Sequence, residues 1–342
     1  MAPGLSLDFM LSETLSVTQP LYTGGRIGLG REAAEAGKAM AQEGARLSRQ
    51  NVAFETATHY LNVLRAESLL EAVLENERQA QAHLKDAQAR EKNGLGTRFD
   101  TLQAQTALAN VKGRVIQARN AVKLARLSLA TDIHQPLDER PLATPSLPMF
   151  KLSESSIASG IDTRPEVKVA EGQHRLDALS TEITRRGLLP TVGVQGILLA
   201  DKLNVPGYAV MGSASWELFD GGKIHAQIRA GEKSQEASAA QLQALREGIR
   251  LEAEKAIAER AEAKERIAAA EQGLRTAKAG YDLAQLRYSE GAGTGTEAID
   301  AASTMSQARA TYIQATYDAL AAEFKIAKAL GLDLAGMLGR KA

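Results

Sequence analysis

The 342 residues contain no cysteine, so neither a disulfide framework nor a thiolate metal site can be built from them, and the compartment stays open. No run of 18 apolar residues occurs, which excludes a transmembrane helix but leaves strands as a way across a bilayer. Charge of one sign is missing too. Lys plus Arg and Asp plus Glu each number 41, and a net charge of zero gives no overall field to draw in nucleic acid or an anionic surface. Aromatic residues are only 4%, while Ala, Gln, Glu, Arg and Lys crowd the long segments, the bias of long helices packed side by side. The opening residues, MAPGLSLDFML, lack the basic n-region, long apolar stretch and small-residue cleavage site of a signal peptide.

What the chain does have is repetition. PLYTGGR (Pro20 to Arg26) is echoed by ELFDGGK (Glu217 to Lys223), 197 residues later. The same offset, without a gap, brings Gly94 onto Gly291, Arg90 onto Arg287, Asp100 onto Glu297 and Ala118 onto Ala315. A shared order of strand, double glycine, long helix, glycine tip and second helix runs from about Leu15 to Asp132 and again from Gly212 to Ala329. A period this long is a duplicated structural unit. The expected organisation is a first, incomplete repeat over 1–134, a proline-containing connector over 135–154, a second repeat over 155–334 and a tail over 335–342.

Each copy opens on period two. Leu5, Leu7, Phe9, Leu11, Leu15, Val17 and Leu21 take alternate positions, with mostly Ser, Thr and Asp between them, the mark of a strand with one apolar face. Tyr208, Val210, Gly212, Ala214, Trp216 and Leu218 repeat the pattern. TVGVQGILLA (Thr191 to Ala200) precedes them across a turn with Asn204, Pro206 and Gly207, so 191–219 reads as a β-hairpin. After each double glycine the period becomes helical. From Ile27 to Lys92 there is no proline; a helix of about 65 residues is about 100 Å long, and its apolar residues fall at coiled-coil spacings. NGLGT (Asn93 to Thr97) and EGAGTGT (Glu290 to Thr296) then turn each long helix into a second one, giving antiparallel helical hairpins with sharp tips.

Catalytic signatures are missing. GGRIGLGRE (Gly24 to Glu32) lacks the Lys-Ser/Thr pair of a phosphate loop. The histidines at 59, 83, 134, 174 and 225 form no metal-ligand spacing and read as solvent-facing or seam residues. No Gly-x-Ser-x-Gly occurs. Neither an enzyme nor a cofactor nor a metal site is expected.

Three amphipathic strands cannot close a barrel, and open sheet edges are not tolerated in lipid. Either they pair with strands of other subunits or the bilayer reading fails. At the repeat offset, residues 155–200 map onto positions from about −42 to 3, so an N-terminally shortened form is expected.

QPLYTGGR and WELFDGGK entering the long helices, RPEV (Arg164 to Val167), LLPTVGVQG (Leu188 to Gly196), NGLGTRFDTLQAQ at the first tip and RYSEGAGTGTEAIDA at the second resemble the TolC-like outer-membrane efflux proteins over nearly the whole chain. The resemblance implies a mainly α fold with a small β part: long antiparallel hairpins forming a periplasmic α-barrel, and antiparallel strands shared in a trimeric transmembrane β-barrel. It implies a homotrimer in outer-membrane lipid, with a periplasmic helical extension, docked on a periplasmic adaptor (membrane fusion) protein and an inner-membrane pump. The function implied is a passive exit duct of a tripartite efflux pump or type I secretion system.

Residue by residue, the resemblance implies that Glu297 and Asp300 form acidic rings at the aperture, as in charged selectivity filters; from sequence alone they read as ordinary helix-start acids favoured by the macrodipole. Tyr288 matches a family tyrosine that hydrogen-bonds an aspartate at the first tip, here Asp100; from sequence alone it is a seam residue. Gly94, Leu95, Gly291 and Thr294 match adaptor-contact positions and also read as plain turn chemistry. Gly24, Gly25, Gly221 and Gly222 sit where strand becomes helix, small residues that let the backbone turn. A family arginine that supports the closed state falls at Gly293, where this chain has none. Two alternatives stand beside the duct: a soluble coiled-coil scaffold, and a non-functional shortened relative whose trimer would have only nine strands and conduct poorly.

Overall fold

The computed structural model describes residues 13–136, 142–143, 160–200 and 206–332. The sequence segments assigned above to Leu5–Leu11, most of the connector and the 335–342 tail lie outside them. In chain order the elements are β1 (Glu13–Tyr22), α1 (Arg26–Lys92), α2 (Arg98–Ile133), α3 (Pro165–Arg185), a 3-10 turn (Arg186–Leu188), β2 (Thr191–Ala200), β3 (Pro206–Ser215), α4 (Lys223–Ser289) and α5 (Gly295–Ala329). The duplication is visible in their bounds. Helices α1 and α4 each have 67 residues and start 197 apart, as do α2 and α5. No helix among the described residues is long and apolar enough to cross a membrane.

The chain divides into two compact units, residues 1–45 with 165–245, and 46–164 with 246–342. The first holds an antiparallel sheet in the order β1-β2-β3. Residues directly opposite in such a ladder point to the same face. The register therefore lines up Leu15, Leu198 and Tyr208 in one row and Val17, Gly196 and Val210 in the next. The other face carries Ser16, Ile197 and Ala209, then Thr18, Gln195 and Met211. Among the described residues nothing covers the apolar rows: Tyr208 is 83% and Val210 73% exposed.

Two details depart from strict alternation. The register slips between Pro20, opposite Gly193, and Tyr22, opposite Val192. Leu21 is thus the extra residue of a bulge, and Tyr22 takes over the apolar face. Trp216 and Leu218, expected to continue the strand, lie past its end at Ser215. Ser215 pairs with Thr191, the first residue of β2. Pro190 precedes it and has no N–H to extend the ladder, and the indole N–H of Trp216 instead donates to the Leu188 carbonyl at 3.1 Å.

The second unit is a helical bundle whose core is built largely from alanine. One face of α5 packs Phe324 and Ala327 against Ala57, Leu61 and Leu64 of α1. An adjacent face packs Ile326 and Ala329 against Ala253 and Ala256 of α4. Small side chains let the helix axes approach closely while each buried residue still loses its water. Pro165 opens α3 at the first helical position, where its missing N–H costs nothing. Just before it, the Arg164 guanidinium is buried and donates to Glu252 at 2.9 Å.

Candidate functional site

Both hairpin tips are made the same way. At the end of α1, Leu95 N–H donates to the Arg90 carbonyl and Gly94 N–H to that of Glu91, with Gly94 at φ 71°. At the end of α4, Ala292 donates to Arg287 and Gly291 to Tyr288, with Gly291 at φ 73°. These are paired Schellman motifs, which need a left-handed residue that glycine adopts without strain. Leu95 projects beyond its turn and is exposed.

The following helices start on threonine caps. Thr97 accepts from the Asp100 N–H at 3.2 Å, and the Asp100 carboxylate accepts from the Thr97 N–H at 3.0 Å and its hydroxyl at 2.7 Å, a complete capping box. These bonds from Thr97 hold the Asp100 carboxyl below its usual range. At the second tip Thr294 accepts from the Glu297 N–H at 3.2 Å. The Glu297 carboxylate, however, turns to Arg287, 3.9 Å away across the turn. Asp300, one turn on, is exposed beside Phe99 and Leu102 of α2 in an open groove. The equivalent acids 100 and 297 thus have different employment: the first is consumed by its cap, while the second stays on the surface with Asp300.

Gly295, buried at the start of α5, lies beside both members of the expected tip link, Tyr288 and Asp100, but no hydrogen bond joins them, and the Asp100 carboxylate is taken by Thr97. A Cβ there would lie 3.5 Å from Asp100 Oδ1 and 3.6 Å from Tyr288 Cε2. Tyr288 is itself buried, and burial, followed by the nearby Asp86 charge, pushes its hydroxyl up. The Arg90 guanidinium lies 4.6 Å over the Tyr288 ring centroid. Its Nη2 donates to the Ser289 carbonyl at 2.6 Å, where α4 ends and its dipole is negative. Thr296 completes the cross-linking by donating to Gln103 at 2.8 Å. Arg90 was visible in the sequence only as the partner of Arg287 in the repeat; its role at the tip was not.

At the other end of the long helices, Gly24 and Gly25 have φ of 63° and 86°, and Gly221 and Gly222 have 67° and 87°. Two successive left-handed residues explain the doubled glycine, since each would cost another L-residue about 1–2 kcal/mol. Asp220, which the sequence reading passed over, caps the second junction by accepting from Gly222 N–H at 2.8 Å and Ile224 N–H at 2.5 Å. Thr23 holds the equivalent place in the first, accepting from Arg26 N–H through its carbonyl at 3.2 Å.

Duplicated helical hairpins with capped tips, each entered through two left-handed glycines that follow an amphipathic strand or hairpin, define a class of strand-and-hairpin proteins. A sequence profile described as "Outer membrane efflux protein" matches residues 10–132 and 156–332, and the chain belongs to that family. It is 25% identical over 307 residues to the pyoverdine export outer membrane protein OpmQ of Pseudomonas putida, covering 84% of this chain and 64% of OpmQ. With the nickel-cobalt-cadmium resistance protein NccC of Alcaligenes xylosoxydans xylosoxydans it shares 27% identity over 230 residues, 64% of this chain and 50% of NccC. The chain thus spans between half and two thirds of the length of these relatives. Its fold matches the crystal structures of CusC, described in terms of folding and transmembrane channel formation, with a TM-score of 0.84 at 18% identity over 94% of this chain and 78% of CusC.

Proposed function

We propose that this chain is the outer-membrane exit duct of a tripartite efflux pump: a homotrimer whose strands share a β-barrel in lipid and whose hairpins extend into the periplasm toward an adaptor and an inner-membrane pump. Conduction is passive. The observation that carries the reading is the sheet, whose apolar rows are in register across three strands yet covered by none of the described residues. A soluble scaffold has no use for such a face, which would be an aggregation site; strands from further subunits and lipid tails satisfy both its edges and its surface. Membership of the efflux family and the export and resistance roles named for OpmQ and NccC favour a pump duct over type I secretion. In this assembly Glu297 and Asp300 narrow the periplasmic aperture, and Gly94, Leu95, Gly291 and Thr294 present the tips to the adaptor.

The test is the oligomeric state and planar-bilayer conductance of the purified protein, made both as these 342 residues and with any in-frame upstream coding sequence. A heat-resistant trimer with cation-selective current is expected. Soluble, non-conducting rods from both preparations would overturn the duct in favour of a coiled-coil scaffold.

A further inference from the structure

Three side chains of α1, His83, Asp86 and Arg90, recur at helical spacing along one face, and this face meets Tyr288 of α4. Arg90 stacks on the Tyr288 ring. The His83 ring lies 5.0 Å from it, centroid to centroid, at 47°. Arg90 Nε is 3.6 Å from Asp86, which steadies the guanidinium in its place over the ring. The tyrosine at the second tip is therefore held by its ring, from the first hairpin of the same subunit.

His83 also borders a cavity of about 150 Å³ between α1, α2, α4 and α5, lined by polar groups that include Asn76, Gln79, Asn110 and Gln285. Its Nδ1 is buried and reaches no hydrogen-bond partner. A neutral imidazole tolerates one idle nitrogen, but an imidazolium carries an N–H on both. In the latched arrangement that second N–H has no side-chain acceptor within reach, so part of its desolvation cost falls on the latched state. The charged and titratable groups facing this region are Asp86 and Arg90 on α1, Asp100 and Arg114 on α2, and Tyr281 and Tyr288 on α4; α5 contributes Ala298, Ile299, Ala302 and Ser303, none of which titrates.

We propose that His83 and Arg90 clamp the Tyr288 ring as a latch between the two hairpins of one subunit, and that protonation of His83 releases it, so that acid loosens the second tip. Burial pushes the His83 imidazole below its ordinary value, against a smaller upward pull from Asp86 and Asp100. Once released into water the ring regains an ordinary value near 6.5. The released tip therefore binds the proton more tightly than the latched one, and the latch weakens as the pH falls through that region. At pH 5.0 the free-imidazole value caps the shift toward the released state at about 30-fold. The proposal rests on the duct reading only for its consequence at the pore; the latch itself lies wholly within one chain.

Amide hydrogen exchange of the purified chain in detergent, followed by mass spectrometry over 286–296 and corrected for the intrinsic pH dependence of exchange, tests it without requiring a current. Between pH 7.5 and 5.0 the native tip is expected to open more often, by up to about 30-fold. His83→Gln should be pH-independent, and Tyr288→Leu should be open at both pH values. Tyr288→Phe, which keeps the ring and loses the hydroxyl, should behave as native. A native tip without a pH response overturns the proposal, as does a full response retained in His83→Gln or in Tyr288→Leu. Loss of protection in Tyr288→Phe transfers the role from the ring to the hydroxyl and overturns it as well. Bilayer conductance measured alongside separates the two readings, because a latch that responds in a protein without current leaves the latch standing and removes the duct.

Discussion

Gly231 of α4 lies against Thr181 of α3 so closely that a Cβ at position 231 would sit 2.4 Å from Thr181 Oγ1 and 3.2 Å from both its Cβ and Cγ2. Thr181 is buried, and its hydroxyl donates to the Asp177 carbonyl at 2.8 Å. Rotating its side chain away would disturb that hydrogen bond, so the crowding cannot be relieved without cost.

Gly231→Ala sets two effects against each other. Alanine favours the helix by about 1 kcal/mol, while overpacking a tight contact costs about 1–3 kcal/mol. The 2.4 Å approach places the overpacking toward the upper end of its range, and a net loss of up to about 2 kcal/mol is expected in denaturant unfolding. Thr181→Ala should restore most of it when combined with Gly231→Ala; strictly additive single and double variants would show that the helices do not meet here.

The two junctions make an internal comparison. Gly24 and Gly221 share a left-handed φ, so alanine costs about 1–2 kcal/mol in backbone strain at either. Only Gly24 is enclosed: a Cβ there would meet Leu189 Cβ at 2.9 Å, whereas Gly221 has open space. Gly24→Ala should therefore melt below Gly221→Ala, by a difference worth about 1–3 kcal/mol. Equal melting temperatures would mean that the approach of Leu189 carries no weight.

Arg260 and Glu323 form an ion pair at 2.7 Å with both side chains only 11% exposed. Arg260→Met strands a carboxylate whose other oxygen already lacks a partner, and a loss of about 3–5 kcal/mol is expected in urea. Arg260→Met combined with Glu323→Leu should recover most of that, because an apolar pair of similar volume avoids the desolvation penalty altogether. A double variant as unstable as the single would indicate that the pair contributes through packing and not through charge.

The long helices, the tips and the duplication were legible because each rests on local chemistry. Proline-free apolar periodicity specifies α1, and Asn-Gly followed by threonine specifies a Schellman stop and a capped restart. The sheet was legible in its alternation, but not at its margins. The Leu21 bulge and the early end of β3 depend on which partner residue stands opposite, and no single strand encodes that. The tip acids and the junction glycines could be located by motif, yet their chemistry could not be read there. Asp100 and Glu297 are equivalent in the repeat, and only the structure separates the cap-bound acid from the one beside Arg287. His83 reads from the sequence only as a solvent-facing or seam histidine and Arg90 only as the repeat partner of Arg287, and their joint role was hidden for a related reason. Their seven-residue spacing fits any seam, and Tyr288, the side chain that gives it meaning, lies on another helix.

That separation sets the expectation at the aperture. In a threefold assembly, a cation on the axis about 8 Å from each of three carboxylates gains about 0.5 kcal/mol per charge in water, and screening at physiological salt cuts the sum to about 0.6 kcal/mol. The same ring disfavours an anion by as much, so removing one by Glu297→Gln or Asp300→Asn should lower the cation-to-anion permeability ratio by up to about 7-fold, and the double variant should lower it further. Arg287 lies 3.9 Å from Glu297 and offsets part of its field, so Arg287→Gln should move the ratio the opposite way, by a similar factor. Reversal potentials in a salt gradient measure all four. If Arg287→Gln raises selectivity while the two acid variants leave it untouched, the charges that matter lie elsewhere on the tip; if all three shift as stated, residues 287, 297 and 300 face the permeating ion together.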